Sequence, residues 1–195
     1  GATLVLADYP DTFDGALVVL DAPATYTSET LDSRTYAASD VAILPAVPAV
    51  GDIAYFAHVL QHDRYSVDMM VAGADYTGTW EYWNGAWTAL TMFVISPDGT
   101  PADGGSCKDF KIARMGIVAF NRPTDWVAVD RSAVDAAFPA KALYYTRYRI
   151  TAIGAAPAGP VASRVFVGHD VAFEIDTTDA LQGSTTVVDY QSGLE

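Results

Sequence analysis

The sequence predicts an all-β fold, an antiparallel β-sandwich of jelly-roll-like type with extended terminal arms. Short runs rich in Val, Ile, Thr, Tyr, Phe and Trp, bounded by Gly, Pro, Asn and Asp, recur along the chain, the mark of many short strands. Helical patterning is confined to one stretch of about two turns. The dipeptide Asn84-Gly85 sits between two such runs, the strongest short-range signal for a hairpin.

In chain order, strands are expected near Ala16–Leu20, Val41–Leu44, Ile53–His58, Tyr65–Ala72, Gly78–Trp83, Ala86–Leu90, Gly116–Phe120, Leu143–Ala152, Val161–Val167, Val171–Ile175 and Thr185–Tyr190. About eleven strands of modest length point to a sandwich or barrel. The segment LPAVPAVGD, Leu44 to Asp52, reads as an extended linker feeding IAYFAH, and GAAPAGPVAS, Gly154 to Ser163, as a second joint. These joints suggest an N-terminal arm or partial sheet over 1–51 and a central sandwich module over 52–153. Residues 154–195 would then be C-terminal strands or an arm packing on the module or on a neighbour. DRSAVDAAFP offers Ser132 as an N-cap, Asp135 at N3 and Pro139 as a stop, hence a short connecting helix.

A chain of 195 residues that is 51% hydrophobic, 12% aromatic and 18% charged folds rather than staying disordered. Its formal net charge of −13 repels nucleic acid, and no basic patch offsets it. An acidic, lysine-poor surface reads first as solubility; a saline habitat or a basic partner are the alternatives. The single cysteine, Cys107, allows no intrachain disulfide and no multi-cysteine zinc site. No run approaches the ~20 apolar residues that cross a bilayer, so a soluble protein without membrane contact is expected.

The stretch TGTWEYWNGAWTAL, Thr77 to Leu90, holds most of the indoles. A two-residue loop at Asn84-Gly85 would pair Trp83 with Ala86 and Tyr82 with Trp87. Alternation then places Trp80, Tyr82 and Trp87 on one face, as a core, and Glu81 with Trp83 on the other. The competing reading is a ligand platform in which exposed Trp83 and Trp126 stack on sugar rings. In LYYTRYRITAI, Leu143 to Ile153, Arg147 and Arg149 project to a single face, so Glu81 is expected to pair with one of them and fix strand register. Glu81→Gln should then destabilise the protein more than a change at Asp98.

At this point the ordered set TWEYWNGAWTAL, the DGT turn at Asp98 to Thr100, GIVAFNRPTDW at Gly116 to Trp126 and ALYYTRYRITAI resembles a β-rich module of tailed-bacteriophage structural proteins of tail, baseplate and fibre-associated type. The resemblance covers about Ile53 to Ile153. PADGGSCKDFKIARM is longer than that pattern expects, and Thr146 stands where a bulkier apolar residue is usual. The resemblance implies a non-enzymatic virion structural protein, a decoration, tail or baseplate component, working as a homo-oligomer. Its implied partners are copies of itself and neighbouring virion proteins. The alternative is a carbohydrate-binding, host-adhesion module whose partner is a glycan.

Candidate chemistry is sparse. His58 and His62 have the i, i+4 spacing of a metal pair and Asp63 follows, but strand-like flanks make this a turn. His169-Asp170 is read the same way. Asp98 and Asp103 lie in a glycine-rich loop without EF-hand spacing. Cys107 has no histidine near it in sequence. Carboxylate pairs for glycoside hydrolysis have separations that no sequence reveals. No GxSxG, P-loop or dinucleotide fingerprint occurs, so no catalytic residue, metal ligand or cofactor is expected.

Overall fold

The computed structural model describes residues 3–6, 15–34, 41–93, 108–168 and 173–176. Its strands are, in chain order, β1 (Thr3–Leu6), β2 (Gly15–Asp21), β3 (Thr25–Ser28), β4 (Val41–Ala42), β5 (Ile53–His58), β6 (Arg64–Val71), β7 (Ala74–Trp83), β8 (Trp87–Ala89), β9 (Met92–Phe93), β10 (Met115–Phe120), β11 (Ala128–Val129), β12 (Leu143–Ala158), β13 (Val161–Gly168) and β14 (Phe173–Asp176). Two compact units result: Gly1–Tyr9 with Asp170–Glu195, and Pro10–His169. In the first, β1 and β14 form an antiparallel two-stranded ladder.

The second unit is a sandwich of two antiparallel sheets. The larger sheet runs β3-β2-β5-β12-β7-β8, with β11 also on β12, and the smaller runs β4-β13-β6-β10-β9. Between them lies an aromatic core: Phe56, Trp80 and Tyr148 from the larger sheet meet Tyr65, Val118 and Val165 from the smaller. Burying each such side chain contributes about 1.5–3 kcal/mol. β6 shows the expected alternation, with Tyr65, Val67 and Met69 turned inward. β5 is buried along its whole length because both faces of the larger sheet are covered. Ala54 and Phe56 face the smaller sheet, while Ile53, Tyr55 and Ala57 face a second cluster around Phe138, Leu143 and Tyr145.

Two turns carry the chain from sheet to sheet. β6 passes to β7 and β12 to β13, so the β7–β12 ladder of one sheet continues as the β6–β13 ladder of the other. Gly159 is needed at the second turn, where an added Cβ would lie 2.1 Å from the Pro45 carbonyl oxygen.

Several expectations need correction. The boundaries at 52 and 153 cut through the sandwich: β2 pairs with β5 in the larger sheet and β13 with β6 in the smaller, so residues 15–51 and 154–168 contain parts of its body. The proline-rich linker is pinned rather than free. The buried Asp52 carboxylate accepts backbone N–H groups from Ala22 (2.9 Å) and Ala49 (2.6 Å), and Ile43 and Leu44 enter the core. The expected helix in DRSAVDAAFP is a series of turns. Asp130 Oδ1 takes the N–H of Ser132 and Asp135 Oδ1 that of Ala137, local bonds that compete with a helical ladder. Strands β1, β3, β9 and β11 were not foreseen, and the expected strand at Thr185–Tyr190 lies outside the described residues. Among the described residues no helix is long and apolar enough to cross a membrane.

Candidate functional site

The β7–β8 hairpin pairs Trp83 with Trp87, Tyr82 with Thr88 and Glu81 with Ala89. Its loop is therefore Asn84–Ala86, one residue longer than the expected two-residue turn. Because side chains alternate, that single residue moves Trp87 away from Trp80 and Tyr82 to the opposite face, beside Trp83. Asn84 explains the longer loop. Its backbone N–H donates to Ala86 O, and its Oδ1 accepts from Ala86 N and Thr88 Oγ1. Its Nδ2 donates to Asp125 Oδ2 at 2.8 Å, and the Tyr82 hydroxyl donates to Asp125 Oδ1 at 2.8 Å. Hydrogen bonds from Asn84 and Tyr82 hold the Asp125 carboxyl below its usual range, while the bond to Asp125 pushes the Tyr82 phenol up. Gly85 supplies the positive φ, +108°, at the loop tip.

On the inner face Trp80 and Tyr82 belong to the core, and the Trp80 indole N–H donates to Lys108 O. Trp126, which the competing reading placed on a ligand platform, is 4% exposed and donates its indole N–H to Tyr145 O at 3.1 Å. Beside it, His62 Nδ1 lies 3.1 Å from Leu60 O and Nε2 2.5 Å from the Tyr65 hydroxyl, which is 2.7 Å from Thr146 Oγ1. A carbonyl only accepts, so Nδ1 carries the proton there. This chain accounts for the small residue at 146: a hydroxyl is needed where an apolar side chain was expected. His58 Nδ1 accepts Leu60 N–H at 3.1 Å, and the two imidazoles stand perpendicular with centroids 6.0 Å apart. Among the described residues no group of three His, Cys, Asp or Glu side chains could hold a metal ion. Cys107, Asp98, Asp103 and His169 lie outside the described residues.

The outer face of the larger sheet gathers the remaining candidates. Glu81 is registered directly opposite Arg147. It accepts Arg147 Nε at 2.6 Å and Arg149 Nη2 at 3.0 Å, so both arginines rather than one engage it. Burial works to raise the Glu81 pKa, but hydrogen bonds from Arg149 and Arg147 and their charges outweigh it and leave the carboxyl below its usual range. The Arg147 guanidinium also lies 4.1 Å from the centroid of the Trp87 ring.

Past Trp87 is a group that the sequence did not reveal. The Arg131 guanidinium carbon sits among five rings: 5.2 Å from Trp87, 5.5 Å from Trp83, 5.6 Å from Tyr55, 5.7 Å from Phe138 and 5.9 Å from Tyr145. Burial pushes the Tyr145 phenol up to about 12, with the Arg131 charge opposing. The rings come from β5, β7, β8, β12 and the 130–142 loop, segments far apart in sequence. The legible hints were the alternation of TWEYW and the two Asp-initiated turns around Arg131.

No family model, curated protein or solved structure matches the chain.

Proposed function

We propose that this chain is a non-enzymatic structural protein of a tailed phage or phage-like particle, a decoration, tail or baseplate component of jelly-roll-like type that acts by packing against copies of itself and neighbouring virion proteins. One observation carries the reading: motif residues that carry the resemblance use their polar groups on one another. Glu81 is taken by Arg147 and Arg149, Asn84 and Tyr82 by Asp125, and the Trp126 indole by the Tyr145 carbonyl. A motif spent on locking hairpin, turn and central strand is an architectural one, and what it offers to other molecules is a stiff surface.

The glycan-binding alternative requires two exposed, roughly coplanar indoles. Trp126 is buried, and Trp83 and Trp87 meet at 70°. The test is immunogold labelling of particles released from the source cells, using antibodies against this chain. Gold confined to one zone of the particle supports the reading; no label on either intact or opened particles overturns it.

A further inference from the structure

The five-ring enclosure around Arg131 is built like a receptor for an organic cation. Ring faces carry negative quadrupole potential, and a planar, weakly hydrated guanidinium suits them better than an ammonium does. Arg131 is held by those faces: among the described residues its buried Nε has no hydrogen-bond partner, and the buried Tyr145 hydroxyl beside it has none either. The loop that delivers Arg131, residues 130–142, is clipped at its base by the β11–β12 ladder, where Ala128 pairs with Tyr144 and Val129 with Leu143. Beyond that clip its backbone bonds close small local turns, Val134 N to Arg131 O and Phe138 N to Asp135 O. Phe138, buried at 2% exposure, Ala137 and Arg131 help seat it on the sheet.

We propose that Tyr55, Trp83, Trp87, Phe138 and Tyr145 form a guanidinium-recognition site in which Arg131 is a tethered stand-in, displaced by an arginine side chain of a basic partner segment. Exchange leaves the charge inside the cage unchanged, because one guanidinium replaces another and Arg131 moves into water beside Asp130. The net charge of −13 draws basic segments toward the molecule as a whole. A tethered competitor lowers apparent affinity by the fraction of time the cage is open, so removing it must tighten binding.

The experiment titrates N-acetyl-arginine amide into Arg131→Ala and into the wild-type chain, reading tryptophan fluorescence, with N-acetyl-lysine amide as the control. Arg131→Ala should respond saturably, at concentrations about tenfold below those the wild type needs. The lysine analogue should be weaker, and adding Trp87→Ala should abolish the response. The absence of a saturable response in Arg131→Ala, or equal responses in both chains, overturns the proposal. Should Arg131→Ala not fold, hydrogen exchange of the wild type decides. The arginine probe should speed exchange in residues 130–142 and leave β5 and β12 unchanged; uniform or absent change rejects the site.

Discussion

At the level of single residues, the Glu81 carboxylate is the strongest constraint on the outer face, because it is shared by two guanidinium groups on β12. Glu81→Gln leaves Arg147 and Arg149 without their counter-charge and is expected to lower stability by about 1–3 kcal/mol. The folded-state pKa of Glu81 is depressed, so its contribution is present above the unfolded value of about 4.3 and is lost as pH falls through the folded value. The denaturation midpoints of wild type and Glu81→Gln should therefore differ at neutral pH and converge in acid; a gap that persists there would refute the assignment. The buried relay from His62 through Tyr65 to Thr146 makes a second case. Tyr65→Phe is expected to cost about 1–3 kcal/mol, and a double-mutant cycle with Thr146→Val to show coupling of about 1 kcal/mol. Additive losses would mean that the two hydroxyls do not act together. That Glu81 would pair with one of Arg147 and Arg149 was legible in sequence because the period of a strand is fixed at two, though not that it takes both, whereas the relay joins residues 62, 65 and 146 and no local pattern brings them together.

Among the elements, the β7–β8 hairpin shows how narrow the margin of a sequence reading is. Its existence was legible from Asn84-Gly85, yet the loop length was not, because Asn84 bonds both to its own loop and to Asp125 in a distant turn. That one residue decides which indoles meet solvent. Trp80 and Trp126 are buried at 3% and 4% exposure, while Trp83 and Trp87 are half-buried on the outer face. Acrylamide should thus quench two of the four tryptophans readily, and the Trp83→Phe, Trp87→Phe double variant should lose most of the quenchable emission. Equal quenching of all four would overturn the division into two buried and two half-buried indoles. The missing helix follows the same logic at shorter range. Ser132, Asp135 and Pro139 fit a capped helix, but the Asp130 and Asp135 side chains close turns of their own first.

For the whole molecule, the sandwich class was legible because strand-forming runs and turn residues are spread along the entire chain, while domain limits were not, because proline-rich composition says nothing about the carboxylate of Asp52 that pins the linker. Compactness has a measurable signature in alkali. Burial raises the phenols of Tyr55, Tyr65, Tyr76, Tyr145 and Tyr148, all five being parts of the two clusters that hold the larger sheet between its covering layers. Each folded-state pKa lies above the unfolded value of about 10, so the folded chain binds more protons in that range, and stability must fall as pH rises from there toward the folded values. Phenolate absorbance of these buried tyrosines should accordingly rise only above pH ~10, together with the loss of tertiary circular dichroism. Because β12 carries a phenol of each cluster, Tyr148 and Tyr145, that rise should be one cooperative step. A single smooth titration of all eleven tyrosines while the fold persists would show that the rings lie open to water.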